Sequence, residues 1–227
     1  MTLPQAVARL TTGPLAQLNN DPDLVFAYAV GKAAQDDDSD DAALVCVWDS
    51  EARPDPELEK TQHFTLGEFT AMLDEMEQGR GWEYPSSPAV KVLAAFSDGI
   101  LLADDSGHGM AARARVIELP EQLSQVALER VRGEQEEVAR QLESIADPFE
   151  RTSLLLDACH RAYVALFAAG GHWYPGPAQR EEYIERYFLN ERVPEAEKLV
   201  WEASTHADDS SGDLAGAWRD FVKAVLD

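Results

Sequence analysis

The chain changes texture once, at Pro120, and that change limits what it can fold into. Before it, short apolar runs of strand length alternate with amphipathic stretches. After it, apolar residues recur at helical spacing. In the first part, "LVFAYAV" (24–30) has the length and the β-branched and aromatic content of a buried strand. "LVCVW" (44–48) reads as a second. Val7, Leu10, Leu15 and Leu18 predict a helix from Pro4 to Leu18. Thr65 and Glu68 form a capping-box pattern that opens a helix over 65–76. "VKVLAAF" and "ILLAD" flank Ser97-Asp98-Gly99 and read as a hairpin; "RVIEL" (115–119) reads as a further strand. Beyond Pro120, "EQLSQVALERVRGEQEEVARQLESI" is a long amphipathic helix. Asp147-Pro148 starts another, which runs to Gly170-Gly171. Three more are expected at about 178–190, 194–205 and 212–226. The fold class expected is therefore α+β. Residues 1–119 form a domain of mixed β-sheet with helices, and residues 120–227 form a C-terminal α-helical bundle.

The charge balance excludes several partners. There are 42 acidic and 19 basic residues, a formal net charge of −23. Affinity for nucleic acid and for anionic lipid rests on Lys and Arg, so neither nucleic acid nor a membrane surface is an expected partner. No apolar run approaches a membrane span and the N-terminus lacks an apolar signal core, which predicts a cytoplasmic protein. Cys46 and Cys159 lie far apart in apolar runs and read as buried thiols. His63, His108 and His206 have no metal-ligand spacing, so no zinc is expected.

The stretch "VGKAAQDDDSDDAALVCVWD" (30–49) carries the chemistry. A strand that delivers the chain into a glycine turn lets backbone amides approach a phosphate. A neighbouring strand can carry carboxylates on alternate residues, which point to one face and can hold Mg²⁺ against a triphosphate. Strand, "GK", acidic loop and "SDDAALVCVWD", followed by "FSDGILLADD", resemble the nucleotidyltransferase superfamily. The nearest branch is the small-molecule, antibiotic-modifying type with a helical C-terminal domain. "YVALFAAGGHWYPGP" is similar to the helix-then-"YxPGP" segment of such proteins.

The resemblance implies Gly-Ser, a loop, Asp-x-Asp, and a third carboxylate on a later strand. Here Lys32 stands for the Ser, Asp41 for the first Asp and Ala43 for the second. The third falls at Ala103, or at Asp104 with a slip of one residue. A register using Asp38 and Asp40 would place its carboxylates in the loop rather than on the strand. The resemblance implies a nucleotidyltransferase fold with most of its metal ligands missing, impaired in catalysis, binding a nucleotide or small molecule. The rival is an enzyme moving a nucleotidyl group from a nucleoside triphosphate to an antibiotic-like hydroxyl. In it Asp41 and Asp104 are catalytic, Gly31 and Lys32 hold the nucleotide, and Mg²⁺ with the triphosphate is the cofactor. A third class is an interaction protein, as a homodimer or with a partner as in toxin–antitoxin pairs. The resemblance places the "HWYPGP" loop at the cleft between the halves, with His172 and Tyr174 as substrate-binding residues. The acidic run 36–41 reads more readily as a solvated loop than as a metal site.

Overall fold

The computed structural model describes residues 3–34, 39–49, 60–80, 87–177, 179–188, 192–205 and 213–227. Asp36, Asp37 and Asp38 of the acidic run and His206 lie outside the described residues. The described residues divide into two compact units, one spanning Met1–Gln78 and Pro88–Pro120, the other Gly79–Ser87 and Glu121–Asp227. The class is α+β: a mixed four-stranded sheet with helices, then helices alone.

In the first unit the sheet order is β3-β2-β1-β4, with β1 Leu24–Val30, β2 Ala43–Trp48, β3 Thr61–Thr65 and β4 Ile100–Ala103. β1 runs antiparallel to β2, pairing Val30 with Ala43 and Ala27 with Cys46. It also runs antiparallel to β4, pairing Ala29 with Ile100 and Ala27 with Ala103. β3 lies parallel to β2 on its other side, with Leu44 opposite Thr61.

Alternation along β1 sorts two cores. Ala27 and Ala29 join Leu44, Cys46 and Trp48 against Val7, Leu10, Leu15 and Leu18 of α1 (Gln5–Thr12) and α2 (Pro14–Leu18). Phe26 and Tyr28 meet Phe69 of α3 (Leu66–Glu77) and Phe96 of α4 (Pro88–Asp98) instead. The Phe96 ring centroid lies 4.5 Å from that of Tyr28, 5.1 Å from Phe69 and 5.8 Å from Phe26. α5 (His108–Ala114) closes over Phe26 at Gly109, where a β-carbon would sit 2.9 Å from Leu101 and 3.1 Å from Phe26.

Three local expectations are corrected, and one strand is added. The helix expected over 4–18 is two, because Pro14 lacks an amide and disfavours helical backbone at Gly13, which takes φ −101° and ψ −104°. The hairpin across Ser97-Asp98-Gly99 is instead helix α4 followed directly by β4. Val90, Leu93, Phe96 and Ser97 are its buried residues, at helical spacing. Residues 115–119 form turns, with the Val116 and Ile117 amides bonded to the Arg113 carbonyl, and not a strand. β3 is a strand that its polar sequence does not announce. The capping box is present: the Glu68 amide donates to Thr65 Oγ1 at 3.1 Å and the Thr65 amide to Glu68 Oε2 at 2.7 Å.

The second unit contains α6 (Glu121–Ser144), α7 (Pro148–Ala169), α8 (Arg180–Tyr187), α9 (Arg192–Thr205) and α10 (Leu214–Leu226). Asp147 caps α7, its Oδ1 accepting from the Phe149 and Glu150 amides at 2.8 and 2.9 Å. α10 packs on α6, α7 and α9, and Trp218 Nε1 donates to the Gln135 carbonyl at 3.1 Å. No helix among the described residues is long and apolar enough to cross a membrane.

Two predictions follow from this packing. Phe96→Ala opens the centre of the aromatic cluster and lowers stability by about 3–5 kcal/mol, measured by urea unfolding. Cys46 and Cys159 are buried without a disulfide, and burial pushes both thiols up to about 12. Their protons stay on in the native state, while an unfolded chain releases them from about 8.5. Both thiols therefore lower stability as pH rises from about 9 toward 12, where the unfolded chain binds fewer protons. A thiol reagent at about pH 8 labels neither cysteine in the native protein and both in urea.

Candidate functional site

β1 ends at Val30, and Gly31 turns the chain into a single 3-10 turn, Lys32–Ala34. Gly31 takes φ +102°, a conformation that side chains resist. It also lies against the returning chain: a β-carbon there would sit 2.5 Å from the Asp41 carbonyl oxygen. Glycine is thus required by the closeness of Asp41. The Lys32 amide donates to Asp41 Oδ2 at 3.3 Å, and the Ala33 amide donates to the Asp41 carbonyl at 2.9 Å. The Asp41 amide in turn donates to Ser39 Oγ at 3.2 Å. Two amides that a phosphate would seek in such a turn are bound to the residue proposed to hold metal.

Asp104 is engaged in the same way. Its Oδ1 accepts from the Gly109 amide at 2.9 Å and its Oδ2 from the Met110 amide at 2.8 Å, so it holds the first turn of α5. The register sets Asp41 and Asp104, expected together, toward opposite ends of β1. Asp41 lies beside Gly31, beyond the Val30–Ala43 end of the β1–β2 ladder. Asp104 follows Ala103, which pairs with Ala27. Gly31 and Ala27, the β1 residues nearest those reference points, are four positions apart, about 13 Å at 3.3 Å per residue, and Asp104 lies one residue further. Carboxylates clamping one ion must both reach within about 2.1 Å of it. No group of three or more His, Cys, Asp or Glu among the described residues is placed to hold a metal.

His172 and Tyr174 also part company. The Tyr174 side chain is core, 2% exposed, stacked on Tyr163 at 6.4 Å and edge-on to Phe167 at 5.5 Å. Trp173 is buried as well, so the expected exposed aromatic platform is not formed by this pair. His172 is half-buried and stacks on Tyr187 at 4.1 Å.

Behind Tyr174 lies a polar cluster that spacing did not reveal, because its members come from three helices. Glu197 of α9 accepts the Tyr163 hydroxyl of α7 on Oε2. On Oε1 it accepts Trp201 Nε1 at 3.2 Å and Arg180 Nη1 of α8 at 3.1 Å. The Arg180 guanidinium lies 4.3 Å from the Tyr163 ring centroid, a cation–π contact. Burial and the bond to Glu197 push the Tyr163 phenol far up, and burial pushes Tyr174 up to about 12. Burial, then Arg180, push His160 down, so its imidazole is neutral near pH 7. The arrangement pins α8 and α9 to α7.

A shallow cleft of about 380 Å³ opens in the first unit, lined by residues of α1 and α2, by Asp40 and Ala42, and by Lys60. Arg9 spans it to Asp40, Nη1 to Oδ1 at 3.2 Å.

No protein-family model matches the sequence, and no curated protein matches it either. Among solved structures, the crystal structure of a nucleotidyltransferase-like protein from Exiguobacterium sibiricum 255-15 aligns with 96% of this chain and 73% of its own. The sequence identity is 11% and the TM-score 0.48.

Two substitutions test these roles. Gly31→Ala destabilises by about 1–3 kcal/mol through the clash with Asp41 and the positive φ, read by urea unfolding. Glu197→Ala costs about 1–3 kcal/mol, because it strands Arg180, the buried Tyr163 hydroxyl and the half-buried Trp201 indole. Adding Arg180→Ala recovers part of that loss, a coupling that a double-mutant cycle measures directly.

Proposed function

We propose that the first unit is a nucleotidyltransferase-like scaffold that no longer performs metal-assisted nucleotidyl transfer, and that the protein serves by binding rather than by turnover. The sequence resemblance supports the scaffold: a strand ending in Gly31, an acidic loop and a second strand running back beside the first. The observation that carries the loss of transfer is the engagement of the two candidate carboxylates. Asp41 bonds the Lys32 amide and Asp104 bonds the Gly109 and Met110 amides, beside β1 positions about 13 Å apart. Ala43 and Ala103 stand where the resemblance expects further ligands. A single engaged carboxylate does not supply the near-octahedral oxygen shell that Mg²⁺ demands. Without the ion, the charge developing on phosphorus loses a stabilisation of several kcal/mol. Lys32 offers a point charge for a phosphate but cannot activate a hydroxyl as a metal does.

The interaction reading draws less support. The exposed large apolar residues on the last three helices are Tyr187 and Leu199, and single exposed residues are ordinary on protein surfaces.

Calorimetric titration of ATP and GTP, each with and without Mg²⁺, tests the proposal. Any binding is expected to be the same with and without Mg²⁺. Tight binding that requires Mg²⁺ and disappears in Asp41→Asn would overturn it.

A further inference from the structure

We propose that the cleft between α1–α2 and the Asp40–Ala42 segment is a binding site for a small organic oxyanion, gripped by Arg9 and Lys60. The floor is apolar, with Ala6, Leu10 and Ala42 all buried beside Pro14. The rim carries two cations in a protein where acidic residues outnumber basic ones by 42 to 19. An apolar concavity with a few convergent polar groups is the usual form of a small-molecule site. At about 380 Å³ it lies near the small end of such sites and suits one ring bearing one anionic group.

Lys60 is held there at a cost. It has φ +59°, the sole non-glycine residue with positive φ among the described residues. Such a conformation costs about 1–2 kcal/mol for a residue with a β-carbon. The Lys60 carbonyl accepts the Leu44 amide at 2.9 Å, just before Leu44 pairs with Thr61 at the start of the β2–β3 ladder. Pairing therefore fixes the lysine at the cleft mouth. Its ammonium has no ion-pair partner among the described residues.

Asp40 already stands where the ligand's anion would be. Its pair with Arg9 is exposed, 62% and 84% for the two side chains, and such pairs contribute about 0–1 kcal/mol. An incoming oxyanion replaces Asp40 on Arg9 with little loss and adds Lys60. Asp40 is thus a competitor for the site, a role that does not depend on the Gly31 turn or on any metal.

The test is a titration of ¹⁵N-labelled protein at low salt with AMP, benzoate and inorganic phosphate, using benzamide as the neutral control. Saturable shifts are expected at the Gly13, Gln17, Ala42 and Lys60 amides with AMP or with benzoate, and none with benzamide. AMP alone would assign phosphate esters, and benzoate alone carboxylates. Arg9→Ala and Lys60→Asn each weaken binding about tenfold, the loss of one charge-assisted contact. Asn tolerates the left-handed backbone, so Lys60→Asn removes charge without new strain. Lys60→Arg retains binding, Asp40→Asn tightens it a few-fold, and Lys32→Ala leaves it unchanged. The proposal is overturned if neither organic anion gives saturable shifts, if Arg9→Ala and Lys60→Asn bind as the parent does, or if Lys32→Ala abolishes binding.

Discussion

The first unit depends on the close approach of Asp41 to Gly31. That contact closes the β1–β2 ladder at the end where Val30 faces Ala43, and it fixes which residues of each strand face which core. A slip of one residue would turn Phe26 and Tyr28 toward the alanine-lined face and empty the aromatic cluster. The turn achieves closure with its own polar groups: the Asp41 carboxylate and carbonyl take the Lys32 and Ala33 amides. Small residues complete the fit. Ala27 and Ala29 admit α1 and α2 on one face, and Gly109 admits α5 beside Phe26 on the other.

The same bonds shape the chemistry. A glycine turn that serves a phosphate needs amides pointing outward and unoccupied. Here the aspartate that follows the loop occupies one of them with its side chain and another with its carbonyl. Asp104 is similarly drawn into holding α5. Both carboxylates are thereby part of the local hydrogen bonding. In the helical unit, charge serves packing as well: Glu197 gathers Arg180, Tyr163 and Trp201 into one half-buried network. An ion pair so placed gives little net stability but makes the loss of one partner costly.

Much of this was legible in the sequence where a local signal and the tertiary context agree. β1 was readable from seven consecutive apolar residues, α3 from Thr65 and Glu68, and α7 from Asp147-Pro148. The ambiguous segments share a cause. "VKVLAAF" is apolar enough to be strand or helix, and Gly99 suits a hairpin turn as well as a helix end, so only burial at Val90, Leu93 and Phe96 decides. β3 is polar because its side chains are mostly half-buried, and it is a strand only because β2 lies beside it. Of the candidate site, Gly31 and Asp41 can be named from the sequence, and the structure sets them side by side. Spacing could not show that the aspartate would turn onto the glycine's amides, or that Asp104 lies at the other end of β1. The Arg9–Lys60 cleft joins residues about 50 apart and left no local trace.

The Gly31–Asp41 turn is closed on itself. Paramagnetic broadening of backbone amides by Mn²⁺ with ATP tests it most directly, since Mn²⁺ reports any site that would take Mg²⁺. At micromolar Mn²⁺ the Lys32, Ala33, Asp41 and Ala43 amides are expected to keep their intensity. Selective loss of those four signals at substoichiometric metal would show that Asp41 opens to hold an ion, and would contradict it.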